Sequence, residues 1–349
     1  MSFKSIVGQD RALLSLQKDI EEERVAESYL FSGPPGVGKK LAALECAKAW
    51  NCERFFPETS DNGEESFLFA NEPLVPDSCG QCRSCRKIDQ RTHPDLFILD
   101  FFSQAQLLDL DEDEEARQKE YKIEMVRLLK KQSYLTPAEG RVRVVVVDGA
   151  EQLSTSAANA LLKVLEESPR YCRWILLAGH AERVLPTVKS RCRKIPFSLL
   201  SNQEVESVLN RVLPADQVNA GSRQIQKIAA LSGGSVSIAL SLWGEENLEW
   251  IELSESVFGK NTKLSPLVLA GSVLSDKKSG SGGGGGARRQ AEGFLRILAL
   301  AGSKYLQQDP SMDNAKKISS VLESWEELKR NVSPQLVLDA LFMNLVDCG

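Results

Sequence analysis

The tract Ser32-Gly-Pro-Pro-Gly-Val-Gly-Lys-Lys40 limits the possible folds of this chain more than any other stretch. It follows a short apolar run, Ser28-Tyr-Leu-Phe-Ser32, and opens onto Lys39–Trp50, which has helical periodicity and no breaker. The order strand, loop, helix is therefore predicted. Glycines at 33, 36 and 38 let backbone N–H groups turn inward around an anion, and Lys39 extends toward its outer oxygens. Gly33-x-x-x-x-Gly38-Lys39 is thus a phosphate-cradling loop up to its last position. There a Ser or Thr hydroxyl would bind Mg²⁺. This chain has Lys40 instead, which offers no oxygen and adds positive charge beside the metal's place. A nucleotide-binding type of domain follows, while present binding of ATP with Mg²⁺ is left open.

Further strands are predicted at Leu96–Asp100, Arg143–Val147 and Arg173–Ala178, with helices at Ile123–Ser133 and Ser154–Glu167 between them. Alternating strands and helices imply a parallel sheet covered on both faces, closing at Pro196. The run Val144-Val-Val-Val-Asp148 ends in a carboxylate where Mg²⁺ would be held through water; a plain strand-terminal turn residue is the alternative. The glutamate that would come next to polarise the attacking water is replaced by Gly149, and Glu151 stands two residues further on.

With 349 residues, 42% of them hydrophobic, two or three cores are expected. After residue 197 the pattern changes to short helices broken at Pro214 and at Gly233-Gly234, and a second domain is predicted at 198–245. Residues 246–349 form a third, with helical periodicity in Ala291–Leu306, Ala315–Leu328 and Pro334–Leu345. The tract 279–286, made entirely of Gly and Ser, reads as a loop between its helices. Leu107-Leu-Asp-Leu-Asp-Glu-Asp-Glu-Glu115 reads as a solvated insertion without chemistry. There is no apolar signal core and no apolar stretch of about eighteen residues, so a cytoplasmic protein with no membrane contact is expected. A net charge of −5 leaves no global nucleic-acid footprint, so any DNA contact must be local or shared with partners.

Four of the eight cysteines have metal-ligand spacing: Cys79-x-x-Cys82-x-x-Cys85, with Cys52 at the end of the helix after the phosphate loop. All four ligand positions would be sulfur, which leaves no opening for water and makes a structural Zn²⁺ the expected occupant. Unmetallated cysteines and an iron–sulfur cluster are the alternatives, the latter without redox context here. Cys46, Cys172, Cys192 and Cys348 read as small core or surface residues, and His93 is not expected to displace a thiolate.

Beyond these features, several strings resemble, in order and over almost the whole chain, the clamp-loader branch of the AAA+ proteins. They are Ile6-Val-Gly-Gln9, Asn51-Cys52-Glu53, Cys79 to Cys85, His93-Pro94-Asp95 and Leu135-Thr-Pro-Ala-Glu-Gly140. They continue with Ala157-Ala-Asn-Ala-Leu-Leu-Lys163, Leu165-Glu-Glu167, Leu185-Pro-Thr-Val-Lys-Ser-Arg-Cys192 and Asn331-Val-Ser-Pro-Gln-Leu-Val-Leu338.

The resemblance implies an α/β AAA+ P-loop domain with a zinc module at 1–197, a helical lid at 198–245 and an all-α collar at 246–349 that assembles a ring. It implies a degenerate nucleotide site of Gly33, Gly36, Gly38, Lys39 and Asp148 in a subunit that does not hydrolyse nucleotide itself. Lys40, Gly149, Ala178-Gly179 at the first sensor and Ser237 at the second all depart from hydrolysing members. Arg191 of Ser190-Arg191-Cys192 is retained, and the resemblance implies that it acts in trans on a neighbour's nucleotide; a salt-bridged surface arginine is the other reading. Implied partners are delta and gamma/tau subunits, the beta sliding clamp and primed DNA, with Lys189, Arg191, Arg193 and Lys194 as candidates for phosphate contact. The rival readings are an ATP-hydrolysing gamma/tau-like motor and a module that keeps ATP as a structural ligand.

Overall fold

The computed structural model describes residues 2–54, 77–110, 118–214, 221–258, 273–274, 285–330 and 332–347. The chain separates into two compact units, Met1–Glu204 and Val205–Gly349.

The first unit is built on five parallel strands: β1 (Ser28–Ser32), β2 (Leu96–Leu99), β3 (Arg143–Asp148), β4 (Cys172–Ala178) and β5 (Arg193–Pro196). Their order is β2-β3-β4-β1-β5. The three inner strands are continuous apolar runs because both faces are covered; Val144 to Val147 are at most 1% exposed. The edge strands β2 and β5 are only partly buried. Helix α1 (Asp10–Glu21) precedes β1, and α2 (Lys39–Asn51), α3 (Arg83–Asp89), α4 (Phe101–Leu108), α5 (Ile123–Ser133), α6 (Thr155–Glu166) and α7 (Pro186–Lys189) lie between the strands in sequence. On α2, Ala42, Ala43, Ala47 and Ala49 are buried, small side chains that allow close helix packing. The buried face of α6 repeats at helical spacing, Ala157, Ala158, Leu161, Val164 and Leu165, and the Ser154 hydroxyl caps its start by accepting from the Ala157 N–H.

Register aligns the carboxyl ends of the strands. Ser32 pairs with Ala178 and Pro196, Asp148 with Leu177, and Leu99 with Val147. The Gly33 N–H donates to Ala178 O at 3.1 Å and the Gly149 N–H to Leu177 O at 3.0 Å. Gly33, Asp148, Gly149 and Gly179 therefore converge at one end of the sheet, where ligands of open α/β sheets bind. Below them, the buried Asp95 carboxylate accepts N–H bonds from Ala138, Glu139 and Gly140 and pairs with Arg143 at 2.9 Å. Asn51 at the end of α2 accepts from the Arg141 and Val142 N–H groups.

In the second unit the described helices are α8 (Asn202–Val212), which straddles the boundary, α9 (Ser222–Leu231), α10 (Val236–Ser241), α11 (Glu245–Phe258), α12 (Gly285–Gln308), α13 (Met312–Lys329) and α14 (Pro334–Asp347). Aromatic contacts tie three of the long helices together: Trp250 meets Phe294 edge-on at 6.2 Å, Phe294 meets Phe342 at 5.7 Å, and Phe258 stacks on Tyr305 at 5.7 Å. Most of the 279–286 tract lies outside the described residues, and Gly285 and Gly286 open α12. Residues 111–115 of the acidic run also lie outside them, while Leu107 and Leu108 end α4. No helix among the described residues is long and apolar enough to cross a membrane.

Candidate functional site

The loop between β1 and α2 has the backbone that its glycines require. Gly33, Gly36 and Gly38 all have positive φ, at 154°, 75° and 100°. A Cβ on Gly33 would meet Phe197 O at 2.2 Å, so the close passage of the two segments also excludes any side chain there. Lys39 is buried and curls back into the loop, its Nζ donating to Gly33 O and Pro34 O at 2.6 Å each. Burial lowers its pKa from the ordinary value, with Glu151 and Asp148 acting in the opposite direction.

Lys40 sits where the register of β2 and β3 demands a cation. Because Leu99 pairs with Val147, the next residues, Asp100 and Asp148, stand side by side, and two adjacent carboxylates repel. The Lys40 ammonium lies between them, 3.1 Å from Asp100 Oδ2 and 3.0 Å from Asp148 Oδ2. Burial would raise the Asp100 carboxyl, but the Ser103 N–H and Lys40 outweigh it and the carboxyl ends below its usual range. These residues do not fit Mg²⁺: the hydroxyl ligand is missing, and an internal cation already bridges the carboxylates.

The base position carries no carboxylate either. Gly149 has φ 96°, a conformation that strains any side chain, and a Cβ there would also make the Gln152 side chain swing aside. Glu151 turns toward the end of β4, where its Oε1 accepts the Gly179 N–H at 2.8 Å. The backbone of Gly179 thus holds a carboxylate at the place where the resemblance implies a hydroxyl or amide sensor. Asp148 O accepts the Tyr121 hydroxyl.

Cys52, Cys79, Cys82 and Cys85 converge, their four sulfurs all within 4.8 Å of one another. The donor set fits zinc. With Zn–S bonds of about 2.3 Å the edge of a sulfur tetrahedron is about 3.8 Å, close to the 4.0 Å between Cys79 and Cys85 Sγ. Backbone N–H groups of Gln81 and Cys82 donate to Cys79 Sγ, and that of Cys85 to Cys82 Sγ. Burial opposes ionisation of Cys79, yet these donors and the neighbouring sulfurs of Cys52 and Cys82 bring it down to about 7. Burial and then Cys82 push Cys85 up. Four thiolates this close would repel one another, and a bound cation would offset that repulsion. His93 is not a ligand: its Nε2 lies 3.2 Å from Ser84 Oγ and its Nδ1 accepts the Asp95 N–H.

Arg191 lies on the surface after α7 and is held within the chain. Its Nε donates to Glu166 Oε1 at 2.6 Å, its Nη2 pairs with the same oxygen, and its Nη1 donates to Thr187 O at 2.9 Å. Of the other basic candidates, Arg193 pairs with the buried Asp19 at 2.5 Å, and Lys194 is exposed. Sequence reasoning missed Asp100, Glu166 and the turn of Glu151. Only Asp100 left a signal, since a carboxylate ends β2 as one ends β3 and Lys40 adds an unexplained charge nearby.

Residues 8–201 match the family described as DNA polymerase III, delta subunit. Over 241 residues, 69% of this chain, the sequence is 30% identical to DNA polymerase III subunit tau of Escherichia coli (strain K12), covering 32% of that protein. It is 28% identical to DNA polymerase III subunit tau of Bacillus subtilis (strain 168) over 69% of this chain and 37% of that one. The chain thus spans about a third of the length of these relatives. A solved gamma subunit-related protein of Thermotoga maritima superposes with a TM-score of 0.46 at 15% identity, over 95% of this chain and 99% of that one.

Proposed function

Because the chain belongs to the DNA polymerase III, delta subunit family, we propose that it works in a clamp loader as a non-hydrolysing subunit of the delta-prime type. In this reading residues 1–197 carry a structural Zn²⁺ on Cys52, Cys79, Cys82 and Cys85, 198–245 form a lid, and 246–349 form the collar joining delta and gamma/tau subunits. The assembly, located in the cytoplasm, would open the beta clamp and place it on primed DNA. Arg191 would act in trans, stabilising charge on the γ-phosphate held by a neighbour. The observation that carries the reading is the Lys40 ammonium bridging Asp100 and Asp148, where a hydrolysing site would need Mg²⁺.

A second reading, an ATP-hydrolysing gamma/tau-like motor, is favoured by the similar proteins, which bear the names tau and gamma. Taken alone, the sequence comparisons fit this reading better than the first. Equilibrium binding of a fluorescent ATP analogue, with and without Mg²⁺, separates the two. The proposal expects no tightening by Mg²⁺ in the wild type and a Mg²⁺-dependent gain in Lys40→Thr. Strong Mg²⁺-dependent binding by the wild type would favour the motor.

A further inference from the structure

We infer that Glu166 is a positioning residue for Arg191, presenting its guanidinium to the neighbouring subunit; this rests on the trans role proposed above for Arg191. A guanidinium has five N–H donors in a rigid plane. Three are used inside the chain: Nε and Nη2 toward the single oxygen Glu166 Oε1, and Nη1 toward Thr187 O. The inward edge is thereby anchored to two separate elements, the last residue of α6 and the turn of α7. One N–H remains on each terminal nitrogen, the pair that can receive two oxygens of a phosphate in parallel.

The position of Glu166 supports this role. An acidic residue at the carboxyl end of a helix faces the negative end of its dipole and is unfavourable there unless a cation answers it. The pair is also half exposed, with side chains 35% and 47% accessible, so it contributes little to folding stability and leaves the outer edge of Arg191 open. A fixed plane matters because the guanidinium must meet charge that appears only in the transition state. In that hydrolysis a water oxygen bonds to the γ-phosphorus. The bond to the bridging oxygen breaks, its electron pair leaves on ADP, and the water proton passes to the neighbour's base.

The test is steady-state ATP hydrolysis by clamp-loader complexes reconstituted with wild-type chain, Arg191→Ala, Glu166→Ala, Glu166→Gln and the double alanine variant. Glu166→Ala is expected to lower kcat by roughly 2- to 10-fold with KM for ATP unchanged, no further than Arg191→Ala does. The double variant should match Arg191→Ala, showing that both act through one group. Glu166→Gln keeps an acceptor oxygen and should retain most of the rate. Melting and co-purification should be unchanged for all. If Arg191→Ala slows the complex while Glu166→Ala runs at or above the wild-type rate, the positioning role is overturned and the trans role stands. Equal rates for every complex overturn both.

Discussion

Removing the Asp95 carboxylate leaves the buried Arg143 guanidinium with the carbonyls of Gln132 and Thr136 and the face of the Phe97 ring but no counter-charge, and takes the acceptor from three N–H groups of Ala138, Glu139 and Gly140. Breaking a buried pair in this way typically costs about 3–5 kcal/mol, and Asp95→Ala should lose that much in denaturant unfolding near pH 7. Burial alone would raise this carboxyl, but the N–H donors and Arg143 outweigh it and hold it below its ordinary 3.8. The native value being the lower one, the contribution is full above 3.8 and is lost as pH falls through the native value. The stability gap between wild type and Asp95→Ala should therefore narrow on acidification below that point; a gap that stays constant would mean that charge is not what Asp95 supplies. At this scale the sequence was legible where a residue type is chemically unusual for its position. Lys40 after Lys39 and Gly149 after Asp148 stood out because each replaces a ligand or base. Glu166 did not, because its meaning comes only from the approach of Arg191, 25 residues later in the chain.

The four-cysteine cluster joins α3 to the rest of the first unit. Cys82 is the N-cap of α3, Cys85 lies in its first turn, Cys52 ends α2, and Lys48 on α2 bridges to Asp89 on α3 at 2.9 Å. Zinc bound to thiolates is worth about 10–16 kcal/mol in small domains, so losing one ligand should release the module rather than merely weaken it. Cys82→Ser is expected to lose its zinc by metal analysis and to melt earlier; full zinc content with unchanged melting would contradict the assignment. Elements were legible where both faces are buried: the valine run of β3 could be nothing but an inner strand. The edge strand β5, Arg193-Lys-Ile-Pro196, was not foreseen, because with three of its four residues exposed it carries no apolar pattern. Helix α3 was hidden likewise, because in its seven residues only Ile88 is a large buried apolar side chain and no periodic face results.

At the scale of the whole molecule, the helices α12, α13 and α14 pack through large aromatic and aliphatic side chains, while Leu322, Leu336 and Met343 remain exposed on them. Assembly through these helices is part of the proposed function, since a stable ring needs an extensive apolar contact. Replacing Leu336 and Met343, both exposed on α14, by glutamate should leave melting unchanged yet weaken co-purification with the other subunits; undiminished assembly would move the interface elsewhere. The central claim concerns the site at the end of the sheet, where Lys40 stands between the two carboxylates and Gly149 leaves no base. It is tested most directly by steady-state ATP hydrolysis of the purified chain alone, with Mg²⁺, in the presence and absence of primed DNA. No turnover above background is predicted under either condition. A DNA-stimulated rate of about one per second, the low end of ordinary enzyme turnover, would contradict it and make this chain a motor in its own right.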